Sequence, residues 1–252
     1  MNTNATMAII SVLALCLPVL MLFITRLSNY KSFPVLCGYF LLMVFDNCVG
    51  EGYINVPQTF SHYSAVINNL LDPLLMLGFL IYFSHTTSIK KRILRHIITL
   101  AVFDIIVVSI FGFNNNALAI ALGVGLGSVV ILCLLFFQHQ VKLSVIKGKA
   151  IGKAVIISAL TFMYGCYFIS YLMYYVFKNH DLDSSYLILY SINIISSITL
   201  AIGIAIEKQR VKKLQEILTA RKEMAEIYAS VSYQPSKPNV FTIFRKKSTH
   251  LN

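Results

Sequence analysis

The chain of 252 residues is poor in charge, is especially poor in acidic side chains, and has no tryptophan. Only 12% of its residues are charged and 57% are hydrophobic, whereas a soluble domain is roughly 25% charged. The balance is uneven as well, with 10 acidic against 21 basic residues. This composition excludes an ordinary soluble domain and indicates a protein that is embedded in an apolar medium.

Catalytic motifs are missing too. The chain has no HExxH, no GxSxG and no phosphate-binding P-loop sequence. Its six histidines are scattered, with none deep in an apolar run, and its five cysteines have no metal-ligand or redox spacing. We therefore expect no enzyme activity and no metal site, and we expect the cysteines to be small buried apolar residues.

The chain instead has seven long apolar runs. A helix needs about 17 to 25 residues to cross a hydrocarbon core ~30 Å thick. The runs of this length are Met7–Thr25, Phe33–Val49, Val66–Phe83, Ile93–Phe113, Ala117–Phe137, Ala154–Phe177 and Ser185–Ile206. An open sheet cannot span lipid, because its edge amides would be unpaired, and the alternating strands of a barrel are absent. We predict an all-α fold, a bundle of seven transmembrane helices.

The basic residues lie in alternate connections between these runs and in the C-terminal tail. Of the 21 Lys and Arg residues, only Lys178 falls on the opposite side. The positive-inside rule then predicts an N-terminus outside and a C-terminus in the cytoplasm, in a bacterial inner (plasma) membrane. A net charge of +11 distributed in this way is the ordinary signature of insertion. The expected partner is therefore the lipid bilayer and not nucleic acid.

The sequence predicts three parts. Residues 1–206 form the seven-helix membrane domain. Residues 207–230 continue as a cytoplasmic helix with a weak apolar repeat at intervals of three and four, which lies on the membrane surface or docks a partner helix. Residues 231–252 contain two prolines and several cations, and we interpret them as a flexible basic tail.

Polar residues inside the apolar runs are the first candidates for function. A charge at the bilayer centre costs ~2.5–3.5 kcal/mol on insertion scales, so such residues face the bundle interior or water. Asn69 and Asp72 are three residues apart and share one helix face. Asp46 and Asp104 are the other acids within the runs, and Asp104 must be paired or protonated. These four are predicted buried polar or proton-carrying sites.

Three short strings resemble segments of the microbial rhodopsins. GEGYINVP at Gly50–Pro57 is similar to the end of the second helix of light-driven proton pumps, which reads close to GYGLTMVP. DPLLMLGF at Asp72–Phe79 is similar to the third-helix string TPLLLLDL, and LCLLFFQHQVK at Leu132–Lys142 to the fifth-helix end LYVLFFGFTSK. With seven spans in the same topology, the chain resembles this family from Phe33 to Lys208.

The sixth run adds the residues that would hold a chromophore. Tyr164, Tyr167 and Tyr171 keep the spacing W-x-x-Y-P-x-x-W with which the sixth helix of the family clamps retinal. The resemblance therefore implies a rhodopsin-like ligand pocket. Its candidate residues are Tyr164, Tyr167, Tyr171, Asn193, Ser197 and Ile67.

The departures from the family pattern concern its photochemistry. The seventh helix of the family reads D-x-x-x-K, where the lysine forms the retinal Schiff base; here these positions are Asn193 and Ser197. The second counter-ion becomes Ile67, the nearby arginine becomes Ser64, and the inner proton donor becomes Gly78. A carboxylate left without its cation would be costly to bury, and all these positions are neutral. The resemblance thus implies no covalent cofactor, with retinal or a carotenoid as possible non-covalent ligands.

Asp72 stands where the family has a threonine that contacts a residue of the fourth helix. The resemblance therefore implies that Asp72 and Asp104 form a carboxyl pair that shares a proton. The alternative is that neighbouring Asn or Ser side chains satisfy each carboxyl separately.

Three functions remain open from the sequence. The first is a sensory, signalling or partner subunit, oligomeric, that contacts another rhodopsin or a signalling protein through its cytoplasmic helix. The second is a proton- or ion-conducting protein that uses Asp46, Asp72 and Asp104. The third is a binder of retinal, a carotenoid or another apolar ligand between the tyrosines of the sixth run and Ser197.

Overall fold

The computed structural model describes residues 3–148, 150–177 and 182–232. Within these residues all regular structure is helical, with no strand. The helices are α1 Thr3–Thr25, α2 Phe33–Gly50, α3 Gln58–Leu80, α4 Thr87–Phe111, α5 Asn115–Lys147, α6 Ile151–Tyr171 and α7 Leu182–Ser232. A 3₁₀ turn at Ile81–Phe83 follows α3, and a π-helical turn at Leu172–Val176 follows α6. All seven α-helices are long and apolar enough to cross a membrane, as the sequence predicts.

Several helices extend beyond the apolar runs that predict them. Helix α3 begins at Gln58 rather than Val66, and α5 continues to Lys147 rather than Phe137. Hydropathy marks only the part of a helix that suits lipid, whereas its hydrogen-bonded backbone continues into polar sequence. The run lengths therefore underestimate the helix lengths.

Local side chains define where α4 and α5 begin. The Thr86 hydroxyl accepts a hydrogen bond from the Ile89 amide at 3.3 Å, and the Asn114 side chain accepts one from the Ala117 amide at 2.9 Å. These contacts satisfy amides that have no partner within the first helical turn. Helix α5 ends at Lys147, and Gly148 follows it with a positive φ of 57°, a conformation that glycine adopts without strain.

Helix α3 is the most enclosed of the seven apolar helices in the described part of the chain. It packs against α2, α4 and α5. A Cβ atom placed on Gly125 of α5 would lie 2.7 Å from Cγ of Pro73 in α3. The missing side chain at Gly125 therefore lets α5 approach α3 at the proline, which is how small residues commonly serve membrane helices.

The distribution of polarity is the reverse of that in a soluble protein. Large apolar side chains are exposed on the outer faces of the helices, with Leu13 at 63% and Ile110 at 69%. The buried polar side chains are Ser11, Thr25, Asp72, Asp104, Gln140, Asn193, Ser196, Ser197 and Glu207. This arrangement suits a bundle that is surrounded by lipid, since polar side chains of membrane helices point into the protein.

The chain divides into two compact units, Met1–Gln209 and Arg210–Asn252. The first contains the seven apolar segments and ends three residues after the predicted limit of the membrane domain. The second is described as helix up to Ser232, and its side chains from 215 to 228 are exposed or half-exposed. The predicted flexible tail 231–252 lies outside the described residues, except for its first two.

We expect Gly152→Ala to destabilise the bundle, because a Cβ atom there would lie 2.7 Å from the Glu207 amide nitrogen of α7. Backbone atoms cannot rotate away, so the free energy of unfolding should fall by about 1–3 kcal/mol. Unfolding in mixed SDS micelles measures the change. The matched control is Gly165→Ala in the same helix, where a Cβ atom meets nothing within 4 Å. Equal stability of the two variants would contradict the close approach of α6 and α7.

Candidate functional site

A cavity of about 380 Å³ opens at the end of the bundle where α2 ends and α3 begins. We name it the tyrosine cavity. Its wall is built from five helices and the π-helical turn. The lining residues are Met43, Asp46, Asn47, Glu51, Asn68, Asn69, Asp72, Leu122, Leu126, Tyr167, Ser170, Tyr171, Tyr174, Tyr175, Leu189, Tyr190 and Asn193. Most of these side chains carry a polar group, as expected for a space that faces the interior of a membrane bundle.

Three carboxyl groups face the tyrosine cavity, those of Asp46, Glu51 and Asp72. Lys, Arg and His are absent from its lining in the part of the chain that the structure describes. Acids without basic partners make the space attractive to positive charge, and the low dielectric of the surroundings strengthens that attraction.

Asp72 is the buried carboxyl of the cavity, and its hydrogen-bond donor comes from a residue outside the cavity lining. The Tyr164 hydroxyl of α6 donates a hydrogen bond to its Oδ1 atom. The Tyr39 hydroxyl of α2 also approaches this carboxyl, but it has no partner within hydrogen-bond geometry among the described residues. Both tyrosines are completely buried and neither lines the cavity. They close the space behind Asp72.

Three further hydrogen bonds tie the cavity wall together. The Tyr167 hydroxyl donates to Asn193 Oδ1, which joins α6 to α7. The Tyr190 hydroxyl of α7 donates to Glu51 Oε1 at the end of α2. The Tyr171 hydroxyl donates to the Ala119 carbonyl oxygen of α5 at 2.9 Å. In each case the donor is a phenol, which supplies a hydrogen bond and no charge.

The π-helical turn places a group of aromatic rings at the mouth of the cavity. The ring of Tyr175 lies 5.3 Å from that of Tyr171 and 4.8 Å from that of Tyr174. Tyr174 and Tyr175 lie three and four residues after Tyr171, so the three rings share one helical face, and all of them line the cavity. Tyr174 and Tyr175 belong to the π-helical turn, and such turns are frequent at functional sites.

The structure brings most of the predicted site residues together. Those that line the tyrosine cavity are Tyr167, Tyr171, Asn193, Asp46, Asn69 and Asp72. Tyr164 does not line the cavity, but its hydroxyl donates a hydrogen bond to the Asp72 carboxyl that does. Ser197 is completely buried on α7, and its hydroxyl has no hydrogen-bond partner among the described residues, but it does not line the cavity.

Ile67 does not belong to this site. It is 48% exposed and lines a neighbouring, mostly apolar groove with Phe45, Phe60 and Leu71, which shares Asp46 and Asn68 with the tyrosine cavity. Successive residues of a helix point about 100° apart, so the inward direction of Asn68 turns Ile67 toward the outer surface. The resemblance therefore assigns the counter-ion position to a side chain that faces away from the cavity.

The predicted pair of Asp72 and Asp104 is also not seen. Asp72 takes Tyr164 as its donor, and Asp104 is not among the groups that surround it in the described residues. Asp104 is buried in α4, outside the tyrosine cavity. The Tyr164 hydroxyl thus satisfies the Asp72 carboxyl, which the resemblance pairs with Asp104.

Sequence reasoning missed two groups of residues. The first consists of cavity-lining residues outside the predicted set, among them Glu51, Tyr174, Tyr175 and Tyr190. The second is Glu207, which is completely buried, accepts a hydrogen bond from the Tyr82 hydroxyl, and had been placed in the cytoplasmic helix. A signal for Glu207 was present, since it continues the buried stripe of α7 at intervals of three and four: Asn193, Ser197, Leu200, Ile204 and Glu207.

We expect Tyr164→Phe to destabilise the bundle because it leaves the Asp72 carboxyl without its donor. Hydrogen bonds between membrane helices are worth on average ~0.6 kcal/mol and up to ~1.7, so we expect a coupling energy of about 1 kcal/mol with Asp72→Asn. A double-mutant cycle of unfolding free energies in mixed micelles measures it. The pairing of Tyr164→Phe with Asp104→Asn is the control and should be additive. No coupling in the first cycle would contradict the hydrogen bond.

Comparison of the chain with protein-family models, with curated proteins and with solved structures finds no match in any of the three. The resemblance to the microbial rhodopsins therefore rests on the sequence strings alone. A function has to be inferred from the geometry and charge of the tyrosine cavity.

Proposed function

We propose that the protein is an integral membrane receptor on a rhodopsin-like seven-helix frame, and that it binds a small organic cation non-covalently in the tyrosine cavity. One observation carries this proposal. Three carboxyl groups and five tyrosines line the cavity, with no basic side chain in its described wall.

The hydrogen bonds of the cavity support a positively charged ligand. Asp72 and Glu51 each accept a hydrogen bond from a tyrosine, and a phenol leaves their negative charge in place. Asp72 is buried, and an anion that is buried without a compensating cation is costly, so a cationic ligand would relieve that cost. The tyrosine rings at the mouth add cation–π attraction, worth roughly 0.5–2 kcal/mol for each well-placed ring.

Size and ligand chemistry favour an organic ion over a metal. The cavity of about 380 Å³ falls within the ~300–1,000 Å³ range of small-molecule sites. No group of three His, Cys, Asp or Glu residues stands close enough to hold a metal ion anywhere in the described chain. A primary, tertiary or quaternary amine fits such a space, because its charge is met by carboxylates and its carbon atoms by rings.

The charge distribution supports entry of the ligand from outside the cell. The cavity opens beside the connection between α2 and α3, which lacks Lys and Arg. The basic connections occupy the other end of the helices, and the positive-inside rule assigns that end to the cytoplasm.

Helix α7 supports a signalling role for ligand binding. It carries Tyr190 and Asn193, whose hydrogen bonds to Glu51 and Tyr167 form part of the cavity wall. The same helix continues to Ser232, beyond the membrane domain. A cation that competes for Glu51 would shift α7 relative to α2, and a signalling protein or another rhodopsin that docks on the cytoplasmic helix would sense the change.

Ion conduction along the three acids is less well supported. Asp46 and Asp72 line the tyrosine cavity, but Asp104 does not. The buried rings of Tyr39 and Tyr164 stand behind Asp72. A path that uses all three acids would have to cross these rings.

We expect the protein in lipid nanodiscs to bind choline and not its neutral isostere 3,3-dimethyl-1-butanol, since only choline carries a charge for the carboxylates. Glu51→Gln and Asp72→Asn should each weaken choline binding by roughly tenfold, which corresponds to about 1.4 kcal/mol. Isothermal titration calorimetry measures both effects. Asp104→Asn is the matched control, because it removes a buried acid outside the cavity. Equal binding of the neutral compound would refute the proposal.

We expect added all-trans retinal to keep its free absorption spectrum, both with the natural chain and with Ser197→Lys. Ser197 is completely buried and lies outside the tyrosine cavity, so a lysine there has no space in which to meet the aldehyde. Visible absorption after washing measures this. A shifted band that survives washing would show a chromophore site among the helices and would favour the apolar-ligand alternative.

A further inference from the structure

A second cavity lies between α4 and α5, with a volume of about 590 Å³. We name it the α4–α5 cleft. Its residues come from the first turns of α4 and mainly from the second half of α5. The connection 112–114 joins the other ends of these two helices, so the cleft lies far from that connection. None of its residues lines the tyrosine cavity, so it is an independent site.

The long wall of the α4–α5 cleft is apolar. Ile93 and Phe136 form its buried floor, and Ile131 and Leu135 form its outer edge. These two edge residues are 61% and 57% exposed. The floor of the cleft is therefore continuous with the apolar outer face of α5, so a hydrocarbon chain can enter from the side without crossing polar atoms.

One end of the cleft is basic and rich in histidine. His85 and His139 line this end, and their rings stack with centroids 4.6 Å apart; Arg92 and His96 follow along the α4 side of the cleft. Lys142 lies three residues after His139 on the same face of α5. No Asp or Glu lines the cleft in the described residues. The guanidinium and imidazole N–H groups there have no carboxylate within the cleft to bind.

An apolar channel that ends in a basic, hydrogen-bond-donating head matches an amphiphile with an acidic headgroup. Arg presents a planar set of donors that suits phosphate oxygens, and imidazole can donate to the same group. The basic connections mark this end of the bundle as the expected cytoplasmic end, where anionic lipids concentrate.

We propose that the α4–α5 cleft binds an anionic phospholipid of the cytoplasmic leaflet. Its phosphate lies at Arg92 and His139, and an acyl chain lies along Ile93, Leu135 and Phe136. The site selects the lipid by the charge and hydrogen bonding of its headgroup, because the apolar wall accepts the chains of any phospholipid equally.

Native mass spectrometry of the full chain, released from nanodiscs of equal phosphatidylglycerol and phosphatidylcholine, tests the proposal. We expect the retained lipid to be mainly phosphatidylglycerol. Arg92→Gln should lower the ratio of the two retained lipids by roughly fivefold, as expected for one basic residue near anionic lipid. Arg95→Gln is the control, since it removes an exposed cation of α4 that does not line the cleft. An unchanged ratio in Arg92→Gln, or an equal fall in Arg95→Gln, would overturn a defined site.

A second variant separates the lipid from a free anion. Leu135→Asp puts a charge on the apolar edge while it leaves the basic head intact. It should abolish retention of phosphatidylglycerol, because the acyl chain can no longer lie along the wall. If inorganic phosphate at millimolar concentration displaces the lipid from the natural chain, the site is a phosphate site only, and the acyl wall has no role. Choline binding by both variants should stay unchanged, which separates failure of this site from failure of the receptor proposal.

Discussion

The structure depends on how carboxyl groups are satisfied within a bundle of seven apolar helices. A buried acid in such a bundle needs hydrogen-bond donors from another helix. The buried carboxyls of Asp72 and Glu207 accept hydrogen bonds from tyrosines of α6 and of the turn after α3, and the exposed carboxyl of Glu51 accepts one from Tyr190 of α7. These contacts join residues that are far apart in the chain, and they set how the helices meet at both ends of the bundle.

The choice of tyrosine over arginine or lysine has a consequence for function. A basic partner would neutralise an acid, whereas a phenol satisfies one lone pair and leaves the charge. At the Glu207 end, Lys153 adds positive charge: its Nζ donates to the Tyr82 carbonyl oxygen at 3.2 Å and lies 4.2 Å from the Tyr82 ring centroid. The tyrosine cavity has no such cation in its described wall. The tyrosine–carboxyl pair at Glu207 therefore belongs to a packed contact that includes a cation. The pairs at Asp72 and Glu51 belong to an open cavity that favours a cationic ligand.

Part of the lining of the candidate site could be predicted from the sequence. Asn69, Asp72 and Asn193 are polar residues within apolar runs, and the rule that they face inward placed all three correctly. The resemblance placed Ile67 wrongly. Its position was obtained by counting residues along the rhodopsin pattern, and a difference of one residue on a helix turns the side chain by about 100°. Tyr174 and Tyr175 continue the helical spacing of Tyr164, Tyr167 and Tyr171, but this spacing alone does not distinguish a cavity wall from packing between helices.

The sequence by itself determined the number of helices and their approximate limits. These properties are local, since each follows from a window of residues and its preference for lipid or water. Only the tertiary structure decided that Asp72 meets Tyr164, 92 positions away, rather than Asp104. The rotation and depth of each helix decide such a meeting, and they are set by close packing at positions such as Gly125 and Gly152, which hydropathy does not record.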